Sequence, residues 1–175
     1  MPVQPASGPG GSGRLVPDPG FAGDDGTADA ALRAALADYG VDPARQIDVF
    51  LALQGTRVLV PVVAILGQAE LDAEGLTHDK SSDMATALLT GRDGRQALLA
   101  FTGLDTLEAW RPGARPVPVT AALAARSALQ EGAAALLLDV AGPTTYAVEG
   151  PLLEGLARGW PLVLASDGSL AWIEE

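Results

Sequence analysis

Seven consecutive residues, Thr77-His-Asp-Lys-Ser-Ser-Asp83, hold the sequence's one histidine and one lysine beside two acids and three hydroxyls. From such types a nucleophile, a base and an acid can be assembled. A Ser-Lys nucleophile, however, needs the amine within hydrogen-bond reach of the hydroxyl and shielded from water, which a polar loop ahead of a strand seldom supplies. Serine-lysine hydrolases of the penicillin-binding type put lysine three residues after serine on a helix, whereas Lys80 precedes Ser81. Recognition suits the run better. Lys80 as a point charge, with the Ser81 and Ser82 hydroxyls, can hold a carboxylate or phosphate, or meet an acidic residue of a partner. Asp83 closes the run, and Arg92 and Arg95 carry positive charge into the next turn. The candidate binding residues are therefore Lys80, Ser81, Ser82, Asp83, Arg92 and Arg95, with no catalytic residue and no metal ligand. The plainer reading has the hydroxyls capping a turn, Asp83 pairing locally and Lys80 solvated.

Other chemistries find less to work with. There is no cysteine, and a single histidine offers little to a metal site. Asp24 and Asp25 lack the alternating oxygen ligands and twelfth-position glutamate of an EF-hand, so they read as turn or N-cap residues. The Gly-Pro-Gly-Gly-Ser-Gly of the first thirteen residues follows no strand and opens no helix, and no other phosphate-binding glycine pattern occurs. No cofactor is expected. A net charge of −11 repels phosphate backbones and anionic headgroups, and the basic residues from Lys80 to Arg115 are interleaved with acids. Neither nucleic acid nor membrane is expected as a partner. The longest apolar run, Val58 to Leu66, falls far short of the ~20 residues of a membrane helix. The first residues lack the basic and apolar regions of a secretory signal, so the expected location is the cytoplasm.

The elements that must position these residues follow from spacing. Residues 1–13 are Pro, Gly and Ser with little to bury, a flexible tail before one domain over 14–175. Thr27 or Asp29 caps a first helix carrying Leu32, Leu36 and Tyr39 to Gly40. Asp42 and Pro43 open a second, with Ile47, Phe50, Leu51 and Gln54 on one face. Arg57 to Leu66 is a buried strand in which Pro61 marks a bulge, break or edge. Residues 67–79 form an acidic loop. Met84 to Thr90 and Gln96 to Phe101 form a hairpin around Asp93-Gly94, followed by a short helix with Asp105 and Glu108 as a capping-box-like pair. A brief strand at Val117 to Val119, a helix capped by Thr120, strands at Ala135 to Val140 and Thr144 to Val148, a helix opened by Pro151 and a last hairpin around Asp167-Gly168 complete the chain. Strand, turn, strand, helix thus occurs twice, each helix ending near a tryptophan, Trp110 or Trp160, read as a lid over the sheet. The fold class is α+β or α/β: a mixed, mostly antiparallel sheet of about five to seven strands, with two ββα-like units and helices packed on it.

The order of Pro17-Asp-Pro-Gly-Phe-Ala-Gly-Asp-Asp-Gly26, Leu59-Val-Pro-Val-Val63, Lys80-Ser-Ser-Asp-Met-Ala85, Leu89-Thr-Gly-Arg-Asp-Gly94, Ala100-Phe-Thr102 and Leu138-Asp-Val-Ala-Gly-Pro143 resembles the SseB family N-terminal domain, in the form found in actinobacteria. The resemblance spans about Leu15 to Trp160. The family is named for an enhanced serine-sensitivity phenotype, not for a reaction, and the resemblance carries over no catalytic residue. The expected function is a non-enzymatic interaction or regulatory domain whose contact surface for a protein partner runs from Lys80 to Arg95. A module for a small anionic, amino-acid-like ligand is the alternative, and a serine hydrolase built on Ser81 or Ser82 stands third.

Overall fold

Local signals start and stop most of the helices. The computed structural model describes residues 20–65 and 83–174. The Asp29 carboxylate accepts from the Leu32 N–H to begin α1 (Ala30–Val41), which runs one residue past Gly40. Asp42 caps a short 3-10 turn (Pro43–Arg45) that leads into α2 (Gln46–Leu53). The inward face of α2 is Val49, Phe50 and Leu53, one step round from the expected one, so that Ile47 and Leu51 are only half-buried. Its follower Gln54 exchanges two hydrogen bonds with the backbone of Leu162, as a neighbouring strand would.

β1 (Arg57–Ile65) runs between β2 (Asp83–Thr86) and β5 (Arg115–Thr120), antiparallel to both. A second sheet has the order β3 (Leu88–Thr90), β4 (Gln96–Ala100), β6 (Ala135–Leu138), β7 (Tyr146–Glu149), with β4 and β6 parallel and the other pairs antiparallel. Leu59 and Phe101 join the sheets by exchanging hydrogen bonds of 2.8 and 2.9 Å. The expected hairpin is therefore corrected at its first strand. Only Leu88–Thr90 pairs with β4; Asp83–Thr86 pairs with β1, and the chain changes sheets at Ala87. The Ala87 N–H goes to the Pro61 carbonyl and its own carbonyl accepts from Leu99. Pro61, which has no N–H to give, sits where the neighbour of β1 changes from Phe101 to β2.

After the β3–β4 hairpin come α3 (Leu104–Trp110), β5 and α4 (Ala121–Gln130); after the β6–β7 hairpin comes α5 (Gly150–Arg158). Both ββα units lie side by side in one sheet, making the fold α+β. The capping box is not formed. Gly103 is the N-cap of α3 without a side-chain bond, and Asp105 instead pairs with Arg33 of α1 at 2.9 Å. Thr120 does cap α4. β8 (Leu162–Leu164) and β9 (Leu170–Trp172) form a separate hairpin.

Alternation along the strands divides the core. Val58, Val60, Leu98, Ala100, Leu136, Leu138, Tyr146 and Val148 face a large cluster with α1, α2, α4 and α5. Leu59, Leu99 and Phe101 face a smaller cluster under α3, where Trp110 tilts against Phe101 at 5.4 Å. Among the described residues no helix is long and apolar enough to cross a membrane. The expected tail (1–13) and the acidic loop (67–79) lie outside the described residues.

Candidate functional site

Because α3 is only seven residues long, it covers one end of the sheet face it packs on. Among the described residues no element packs on the face beyond it. Cross-strand register lines up Leu89, Ala97, Ala135 and Glu149 in one row, and Leu137 with Ala147 in the next. Three alanines where most sheet faces carry larger side chains leave a shallow groove of about 440 Å³. Its rim is the turn Gly91–Arg95 and Glu149.

Gly94, at φ +80, lets this turn close, and the Gly91 N–H reaches the Arg95 carbonyl at 2.8 Å. Asp93 accepts from both the backbone and the side chain of Arg95, the latter at 2.6 Å, and this guanidinium holds the Asp93 carboxyl below the usual carboxylate range. Arg95 also reaches Glu149 at 3.5 Å, so it spans the rim from the turn to β7 with its charge met at both ends. Arg92 stands on the same rim with no ion pair among the described residues.

Of the expected binding residues, the structure brings together Arg92 and Arg95. Asp83 opens β2 opposite Ile65, at the far end of the extended stretch from the turn and in the other sheet. Lys80, Ser81, Ser82 and His78 lie outside the described residues. Among those described, no group of three or more His, Asp or Glu side chains is placed to hold a metal ion.

Two polar clusters went unread in the sequence. Asp139 follows β6 at φ +52, is 3% exposed, and accepts from the Thr102 N–H (2.9 Å), the Thr102 hydroxyl (2.7 Å) and the Thr106 hydroxyl (2.6 Å). It borders a small cavity of about 100 Å³ with Arg33, Thr144 and Pro143. With both hydroxyls donating to the carboxylate, that of Thr106 shared with the Gly103 carbonyl at 3.1 Å, and no amine or imidazole beside them among the described residues, the cluster is a latch between the ends of β4 and β6 and the start of α3. The signal was present: an acid ending an apolar run, then Gly142-Pro143. The second cluster is Arg57, whose guanidinium forks onto Asp24 and donates to the Thr27 and Thr102 carbonyls at 2.7 and 2.6 Å. It holds the Asp24 carboxyl below the usual range. Asp24 has its expected turn role as well, accepting from Gly26.

The family model described as SseB protein N-terminal domain matches residues 29–155, from the cap of α1 into α5. The chain belongs to the SseB family. Both the groove and the Asp139 latch of this SseB domain fall inside the matched residues, whereas the β8–β9 hairpin lies outside them. No curated protein and no solved structure matches the chain.

Proposed function

We propose that this SseB chain, in the form of the family found in actinobacteria, is a non-enzymatic, cytoplasmic interaction or regulatory domain that takes a protein partner on the open sheet face. The groove floored by Ala97, Ala135 and Ala147 and overlooked by Arg92 carries the reading. Its small side chains leave an apolar bed that a partner's side chain can fill, and Arg92 brings a cation with no carboxylate partner among the described residues to a protein of net charge −11. A small anion fits this rim less well. Arg95 is already met by Asp93 and Glu149, which among the described residues leaves Arg92 alone at the turn.

Affinity purification of the full chain against an Ala147→Arg variant tests the proposal. Ala147 is exposed on β7 and faces the groove, so arginine fills the bed without entering the core. A protein partner retained by the wild type should fall about tenfold or more with the variant and with Arg92→Glu. Equal capture by all three, or no specific partner at all, sinks the reading.

A further inference from the structure

α4 is built with its small residues in and its large ones out. Ala121, Ala124, Ala125 and Ala128 are buried against the sheet and α5, while Leu123 and Leu129 are 45% and 41% exposed. Leu123, Arg126 and Leu129 follow one another at three-residue spacing, which puts the arginine between the leucines on the outer side of the helix. Close packing of α4 on α5 accounts for the inward alanines, but among the described residues nothing covers the outward leucines.

Beside this row, a groove of about 610 Å³ is lined by Arg126, Leu129, Glu154, Ala157 and Arg158. Both arginines are held by uncharged partners. Nε and Nη2 of Arg126 each lie 3.3 Å from the Ala157 carbonyl, in the last turn of α5, and the Arg158 guanidinium lies 4.6 Å from the centre of the Trp160 ring. Neither forms an ion pair among the described residues, and Glu154, one turn before Arg158, forms none either. The carbonyl end of α5 offers roughly half a negative charge, and Glu154 on the same groove one carboxylate, against two whole cations. The guanidinia are thus positioned while only partly offset, and a ligand that neutralises the remaining charge meets side chains already in place.

We propose that this groove is a second docking site, for an acidic amphipathic segment of a partner protein. Its apolar residues cover Leu123 and Leu129 while one of its carboxylates forks onto Arg126 and Arg158. A free anion would gain nothing from the leucines, and a wholly acidic partner would be repelled by the net charge of −11. The pairing of apolar and acidic groups selects the segment. This site is separate from the sheet face and does not depend on it.

The test is titration of the isotope-labelled full chain with a synthetic amphipathic helix bearing leucine on one face and glutamate at its margin, following the arginine Nε–H signals by NMR. The Arg126 and Arg158 signals should move together and saturate, and a version with lysine for glutamate should leave them unmoved. Arg126→Gln with Arg158→Gln should weaken binding about tenfold or more. L129Q, which keeps both arginines, should weaken it too, and unchanged melting temperatures show that both variants are folded. Four outcomes overturn the proposal: equal binding of the lysine version, equal binding by the variants, saturation of the same signals by inorganic phosphate alone, or no shift at any peptide concentration. Because the probe is a defined peptide, the result stands whether or not a protein is captured on the sheet face.

Discussion

Asp139 occupies a left-handed backbone position that β-carbon-bearing residues rarely adopt, and it does so to bring its carboxylate to three donors from Thr102 and Thr106. Asp139→Ala keeps the strained backbone and orphans the Thr102 N–H and hydroxyl, while the Thr106 hydroxyl falls back on the Gly103 carbonyl at 3.1 Å, so it should cost about 3 kcal/mol. Asp139→Asn tolerates the same φ and keeps one acceptor, and should cost about half as much. Urea denaturation of the two variants checks the order; an alanine variant as stable as the asparagine one would remove the latch. Tyr146 gives a pH-dependent counterpart. Burial, with a lesser contribution from Tyr39, pushes its hydroxyl up to about 12, and the phenol donates to the Gln46 carbonyl at 3.0 Å. Between about pH 10 and the folded value the unfolded chain loses this proton first, so stability falls as pH rises through that window. The loss approaches about 3 kcal/mol, and Tyr146→Phe should flatten it in denaturation curves taken across the window.

Elements with their own start and stop signals were legible in the sequence: Asp29 and Thr120 begin helices, Gly94 turns a hairpin, and Pro151 opens α5. Where the deciding contact was distant, legibility failed. The stretch Met84 to Thr90 has the composition of one strand, yet Ala87 divides it because β1 and β4 each claim one half. Asp105 looked like half of a capping box and is taken instead by Arg33. Gly155 shows local propensity losing to packing. An alanine inside a helix normally gains about 1 kcal/mol over glycine. Here a Cβ would fall 2.3 Å from Cη2 of Trp172, the ring that pins the β8–β9 hairpin edge-on to Phe50. Gly155→Ala should therefore destabilise the protein by about 2 kcal/mol and, more specifically, release the hairpin. Amide exchange across Leu162–Trp172 should quicken while that of β4 and β6 does not, and uniform exchange would refute it.

At the scale of the molecule, the β5 edge decides whether the sheet stops. Leu59 faces Phe101, so its neighbours Val58 and Val60 face β5 and pair with Val119 and Val117. Pro116 and Pro118 then point their ring nitrogens outward, and the edge lacks two of the donors that another strand would need. Pro116→Val with Pro118→Val should produce concentration-dependent self-association in sedimentation, and a mass unchanged from the wild type would refute the blocking role. The sequence by itself determined what depends on neighbours a few residues away: the α+β class, the doubled strand-strand-helix order, the caps at Asp29, Asp42 and Thr120, and the SseB resemblance that the family match bears out. Tertiary structure alone decided the split of the first hairpin, the length of sheet left bare beyond α3, and the Asp139 latch, whose partners lie 33 and 37 residues away in the chain. The reason is physical. A cap or turn is satisfied by its own segment, whereas which face stays open and which carboxylate meets which hydroxyl depend on how distant segments compete for the same neighbours once packed.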